Sequence, residues 1–285
     1  YRRQRQMCIR DSFNTKLAEQ LGIDAAPTSV EEFEADMQTA KDAGILPMMT
    51  YAKDGGTSFV FQALMANNSS AEDVQNWILQ KSGTFDNQAA QDAASTLQDW
   101  NNKGYMPEGV NAVDASTALS RFCNGEGLFF PSGNWNLDTV AKALGDDVQF
   151  FAFPGATSED EPNVAANAGA FYGIPVNAKN RDAAAAFLDY TQSAEAQQII
   201  VDNSGYLPKS STLDLKANSA LQQSMFDAYA DVLTSGHTSD FINNATAGMQ
   251  SSGLIPNFQL LLDNSITPQE FTKNVQAQYD KEAKR

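Results

Sequence analysis

Short apolar runs alternate along this chain with long stretches of helical periodicity, which points to an α/β fold in which helices wrap a small sheet. The plainest strand is Leu128-Phe129-Phe130. A helix that Asp114 can cap runs through Phe122 before it, the turn Asn124-Gly125-Glu126-Gly127 follows, and the strand ends at Pro131-Ser132-Gly133-Asn134-Trp135. Other strands are predicted over residues 45–50, where Pro47 interrupts the run, over 148–153 and over 170–176.

Helix signals are denser. Thr28-Ser29-Val30-Glu31-Glu32-Phe33 carries a hydroxyl cap and an acid three residues on, so a helix should run from there to about Ala43, with Gly44 closing it. Residues 51–58 then form a loop with Asp54-Gly55-Gly56 at its tip, and Phe59, Leu64 and Met65 begin another helix. Ala89, Ala90, Ala93, Ala94, Leu97 and Trp100 share one helical face, which makes Trp100 a core residue; Trp77, beside Val74, Ile78 and Leu79, reads the same way. From Arg181 the pattern is almost wholly helical, with Ala184, Phe187 and Leu188 on one face and Gln198, Ile199 and Val201 in the next helix. Gly205-Tyr206-Leu207-Pro208 breaks it. Later helices are predicted over 219–234, 240–250 and 254–263, and Thr267-Pro268-Gln269-Glu270 starts the last, whose buried stripe is Phe271, Val275 and Tyr279.

Composition narrows the functional classes. The stretch Met7-Cys8-Ile9-Arg10-Asp11-Ser12 resembles the translation of a sequencing-adapter end, so residues 1–12 are set apart from the fold; the alternative is a basic arm carrying Arg2, Arg3, Arg5 and Arg10. Without the segment, four of 19 basic and one of 35 acidic residues are lost, leaving 15 against 34. Such an acidic surface repels phosphate backbones and anionic lipid, which argues against nucleic-acid or membrane-surface partners. A chain of 285 residues with 42% hydrophobic content buries a substantial core, and no apolar run approaches the length of a membrane span. Cys123 reads as a small buried residue on an amphipathic helix, with no base nearby to activate it.

Little catalytic chemistry is on offer. His237 is the one histidine, in a polar Thr-Ser-Gly-His-Thr-Ser loop, so a histidine-rich metal site is excluded and no metal or cofactor is expected. Neither a Walker-type loop nor a dinucleotide fingerprint is present. Paired carboxylates among the acids leave a secreted glycoside hydrolase open as an alternative. Gly133-Asn134-Trp135 is the informative segment, because a turn straight after a buried strand can present an indole and backbone amides at the end of a sheet. An aromatic face packs on the C–H patch of a pyranose, and Asn or Asp side chains match its hydroxyls. A capping turn with Trp135 tucked into core is the competing reading.

A further set of landmarks stands in a fixed order: Phe13-Asn14-Thr15-Lys16-Leu17, Pro27 through Phe33, Ala43-Gly44-Ile45-Leu46-Pro47, Phe122 through Trp135, Phe153-Pro154-Gly155, the glycine-bearing strand at 169–176, Asn180 through Leu188 and Tyr206-Leu207-Pro208. In that order they resemble the family 1 extracellular solute-binding proteins, the maltose-binding protein group. The resemblance implies a two-lobed, type II periplasmic-binding-protein-like α/β fold with a helix-rich C-terminus. Residues 13–164 with 216–285 would make one nearly complete lobe, and 165–215 a remnant of the other. Family members begin with a signal peptide and several elements ahead of the Phe13 position, and this chain starts after them. The implied function is an extracytoplasmic protein, periplasmic or a cell-surface lipoprotein, that captures a sugar or oligosaccharide as a monomer. It would deliver the ligand to ABC transporter permease subunits by lobe closure, without catalysis. Trp135 falls at the family's sugar-stacking tryptophan, with Gly133 supplying the turn and Asn134 beside it; Leu137 stands near the place of a second tryptophan that the family often has. The 51–58 loop offers Tyr51, Asp54 and Ser58 as contacts. Tyr172 lies on the segment that crosses between lobes, while its neighbour Phe171 has the alternative of pointing into core.

Overall fold

The computed structural model describes residues 2–3, 6–160, 162–167, 171–204, 215–235 and 237–283. Among them the strands are β1 (Arg2–Arg3), β2 (Gln6–Asn14), β3 (Phe129–Gly133), β4 (Val148–Ala152), β5 (Val164–Asn167), β6 (Phe171–Tyr172) and β7 (Thr238–Ser239). One sheet has the order β3-β2-β5-β7, with β4 also paired to β2. Strand β2 is its centre. It pairs antiparallel with β3 on one edge, and β4 and β5 share the other, β4 against residues 10–14 and β5 against 6–8. Residues 6–12, set apart by the sequence, thus lie within this sheet. Inter-strand hydrogen bonds need only an extended backbone, and without a strand in this place the facing N–H and C=O groups of β3, β4 and β5 would be left unpaired.

Helices cover both faces of the sheet. The chain order is α1 (Thr15–Leu21), α2 (Val30–Asp42), α3 (Thr57–Asn67), α4 (Ala71–Ile78), α5 (Gln88–Asn102), α6 (Ala115–Cys123), α7 (Leu137–Leu144), α8 (Arg181–Tyr190), α9 (Ala194–Ser204), α10 (Ala220–Ser235), α11 (Ile255–Leu262) and α12 (Pro268–Ala283). Because successive strand residues point to opposite faces, the sheet divides the interior into two cores. Phe129, Phe151 and Ala165 enter the first with α2, α3, α5, α11 and α12; Phe130, Phe150 and Val164 enter the second with α6, α7 and α10. In the first, Phe33 of α2 meets Phe129 at 4.4 Å, Phe153 at 5.2 Å and Trp100 at 5.6 Å between ring centroids. Trp100 is fully buried and its indole N–H donates to Glu34 at 2.7 Å; Trp77 is buried too, stacked on Tyr279 of α12. Both tryptophans are core residues, as their spacing predicts.

Local chemistry sets the helix ends. Ser29 accepts from the Glu32 amide at 3.1 Å while the Glu32 carboxylate accepts from the Thr28 amide and hydroxyl, holding its pKa below the usual carboxylate value. Thr267 and Glu270 repeat the arrangement at α12. Gly44, at φ 75°, follows α2 in the left-handed region.

Three predicted elements come out differently. Residues 45–50 run beside β3 as extended chain, with one isolated bridge at Met48 and Phe129; Pro47 cannot donate, but its carbonyl accepts from the Phe129 amide at 3.0 Å. The helix expected over 240–250 is replaced by a 3-10 turn (Ile242–Asn244) and the start of a π-helical turn (Met249–Leu254). The Gln62 side chain takes the Asp240 carbonyl and the Ile242 amide, so partners outside the segment replace those a helix would provide. Helix α8 forms as predicted but buries none of its residues, and Phe187 is 64% exposed. Of the 170–176 strand, residues 171–176 carry β6 alone, and residues 170 and 205–208 lie outside the described residues.

On α2, burial and the neighbouring Glu32 push the Asp36 carboxyl up to about 6. The raised value means that ionised Asp36 opposes folding above pH 6, a penalty relieved as pH falls from 6 toward the unfolded value near 4. Asp36→Asn should therefore stabilise at pH 7.5 by about 1 kcal/mol after partial solvation is allowed for, or roughly 2 °C in thermal midpoint, and the gain should vanish near pH 4 in a melting series.

Candidate functional site

Strand β3 delivers Gly133-Asn134-Trp135 to the end of the sheet, where Asn134–Asn136 forms a single 3-10 turn before α7. The sequence assigns Gly133 the role of turning the chain, but its φ of −137° and ψ of 171° are extended backbone that any residue adopts. The missing Cβ is what matters. A Cβ here would lie 2.3 Å from Cζ3 and 2.4 Å from Cη2 of Trp135, so the six-membered ring of the indole rests directly on the Gly133 backbone. Trp135 is half-buried, packing on the rim of the first core, with the Phe59 ring 5.7 Å away and tilted by 58°. The indole is thus neither fully enclosed in the core nor fully exposed.

Asn134 is wholly enclosed, and neither its Oδ1 nor its Nδ2 has a hydrogen-bond partner among the described residues. An enclosed amide in that condition costs roughly 1–3 kcal/mol. Ser132 Oγ, two residues earlier, accepts from Asn136 Nδ2 at 2.7 Å.

The 51–58 loop is tied down by its own polar groups. Tyr51 is buried in the second core with its ring against Gly56, where a Cβ would come within 2.4 Å, and its carbonyl accepts from the Thr57 amide that opens α3. Ser58 is also buried, its hydroxyl donating to the Gly55 carbonyl at 2.7 Å. Asp54 is exposed. Both its carboxylate oxygens accept from the Ala115 amide at 3.1 Å, so it helps cap α6, and its carbonyl accepts from Gln250 Nε2. Asp114 caps the same helix from the next position: bonds from the Thr117 amide, Ser116 and Lys53 hold its carboxyl far below the usual carboxylate value.

Tyr172 stands elsewhere, on β6, which among the described residues pairs with β1 in a separate two-stranded ribbon; it is 42% exposed. Gly133, Asn134 and Trp135 are thus one unit, joined to the loop through Phe59, the residue after Ser58. The sequence reading took Phe59 for ordinary helix packing. Its place, directly after the glycine-rich loop, was the available signal.

Two cavities lie away from this unit. One of about 370 Å³ is lined by Met65, Asp73, Trp77, Thr84, Phe85 and Gln88 among others, and one of about 270 Å³ by Asn67, Ser70, Asp160, Asn163 and His237 among others; neither includes any of the seven candidate residues. Among the described residues no cluster of His, Cys, Asp and Glu could hold a metal ion, and no helix is long and apolar enough to cross a membrane. Cys123 is half-buried, and burial pushes its thiol pKa up, away from a reactive thiolate.

The comparison with known proteins shows the family and the fold. The chain belongs to the family described as bacterial extracellular solute-binding protein, whose sequence profile matches residues 13–226. No curated protein matches it in sequence. Solved structures share its fold at low identity. A chitin oligosaccharide binding protein superimposes with a TM-score of 0.88 at 19% identity, over 100% of this chain and 72% of its own. A sugar transporter from Bacillus licheniformis in complex with stachyose gives 0.75 at 12% identity (98% and 73%), and the solute-binding protein RafE in complex with raffinose 0.77 at 14% (98% and 72%).

The seating of the indole can be checked directly. Gly133→Ala should lift Trp135 off β3, moving tryptophan emission to the red, raising acrylamide quenching, and costing about 1–3 kcal/mol of stability from overpacking. An unchanged spectrum would show that the ring does not depend on the bare backbone.

Proposed function

We propose that this chain captures a sugar or oligosaccharide for an ABC import system and performs no chemistry on it. The observation that carries the reading is the half-buried Trp135 indole at the end of β3, seated on Gly133 so that its position is set before any ligand arrives. Preorganised aromatic rings suit pyranose stacking because the ligand need not order them. Structural neighbours that bind chitin oligosaccharide, stachyose and raffinose support a saccharide as the solute class.

In this reading residues 13–164 and 216–285 form one lobe, to whose sheet residues 6–12 of β2 and 165–167 of β5 also belong, and the rest of 165–215 belongs to the other. The exposure of Val176, Phe187, Tyr190 and Ile199 supports that division, since these apolar side chains have found no core against the first lobe. Sugar bridges the lobes and favours the closed form by its differential affinity, and the closed monomer is read by the membrane permease outside the cytoplasm. Trp135 is the stacking residue. Tyr172, exposed on β6, is the contact offered from the crossing segment, Asn134 supplies an amide free to pair with a polar ligand group if the turn opens, and Asp54, Tyr51 and Ser58 shape the loop.

Titration with chitin oligosaccharides, raffinose, stachyose and galactose should give a saccharide-dependent change in tryptophan emission with at least one of them, weak in this chain and lost in Trp135→Ala. Release of any shorter saccharide on prolonged incubation would instead identify a hydrolase. No response to any saccharide in the panel would sink the saccharide reading.

A further inference from the structure

Two contacts of different character hold the Trp135 ring at the rim of the first core. Gly133 beneath its six-membered ring stops it from moving toward β3, but a ring lying on bare backbone can still rock or slide. The second contact has to set its pitch. The Phe59 ring stands 5.7 Å from the indole at 58°, within the range and inclination at which aromatic pairs attract, and Phe241 backs Phe59 from 6.4 Å at 67°.

We propose that Phe59 is a positioning residue for the saccharide platform, and that Phe241 carries the placement of residues 238–242 into it. Phe59 projects from the first turn of α3 and packs against both cores, so it sits where the two faces of the sheet meet at the rim. Phe241 is fixed to that same helix. Gln62, nearly a full turn beyond Phe59, is buried and donates its Nε2 to Ser239 Oγ at 3.0 Å and to the Asp240 carbonyl at 2.7 Å, while its Oε1 accepts from the Ile242 amide at 3.0 Å. The backbone on both sides of Phe241 is therefore bonded to α3. Gln75 of α4 adds a fourth tie, accepting from the Asp240 amide at 2.6 Å. Helix α3, the loop from which it starts, the 238–242 segment and the indole then behave as one rigid body, and the tilt at which a pyranose meets Trp135 is set by residues that never touch the sugar.

The effect on binding rests on the saccharide reading given above; the effect on the free protein does not. Trp77 and Trp100 are 3% and 0% exposed, so acrylamide quenching of the 285-residue chain reports chiefly on Trp135. Phe59→Leu keeps apolar bulk and removes the ring, Phe59→Tyr keeps the ring, and Phe241→Leu removes the support behind it. The expected result is stronger quenching and red-shifted emission in Phe59→Leu, restoration of both in Phe59→Tyr, and a smaller change of the same sign in Phe241→Leu. For a saccharide that binds, Phe59→Leu should weaken affinity roughly 2- to 10-fold, the span that loss of one aromatic pair gives. A lower melting temperature in Phe59→Leu with wild-type quenching and emission would reduce Phe59 to ordinary core and overturn the proposal. Spectral changes as expected in a protein that binds no saccharide would uphold the positioning role and discard the saccharide reading.

Discussion

Strand β3 is the constraint on which the rest of this molecule depends. Every one of its residues is buried, and the alternation of strand side chains sends Phe129 into one core and Phe130 into the other. The helices on the two faces are thus registered against each other through this segment, as they also are through β4 and β5. Phe129 meets Phe13, Phe33 and Phe151, while Phe130 stacks on Phe122 at 5.0 Å. Because the same strand ends at Gly133, whatever holds the two cores in register also holds the indole of Trp135.

The polar groups of the loop before α3 and of the start of α6 serve structure as well. Asp54 and Asp114 both spend their carboxylates on the start of α6, Ser58 closes its own loop, and Tyr51 lies flat on Gly56 inside the second core. A loop pinned in this way presents a fixed surface, which needs little ordering when something binds to it.

The region around α8 behaves differently. Its helix is well formed from local signals, with alanines and a first-turn Asp182, yet its apolar residues face outward. Local propensity suffices to make a helix, but only a partner surface makes an amphipathic stripe contribute to stability. The stretch from β6 to α9 therefore draws less from the cores than the helices packed on the sheet.

Much of this was legible in the residues themselves. The capping boxes at Thr28 to Glu32 and Thr267 to Glu270, the buried face of α5, the core placement of Trp77 and Trp100, and the strand at Phe129 all follow from short-range rules, because caps and periodicity act within a few residues. The turn at Gly133-Asn134-Trp135 was also visible as the end of that strand. What only the tertiary structure decided concerns residues distant in sequence. Gln62 reaches Asp240 and Ile242 and displaces a helix that periodicity favoured; Phe59 meets Trp135; and Gly133 matters for the ring above it rather than for the turn it was expected to make. Such facts depend on which side chain occupies a given volume once the chain has folded, and no local pattern encodes that.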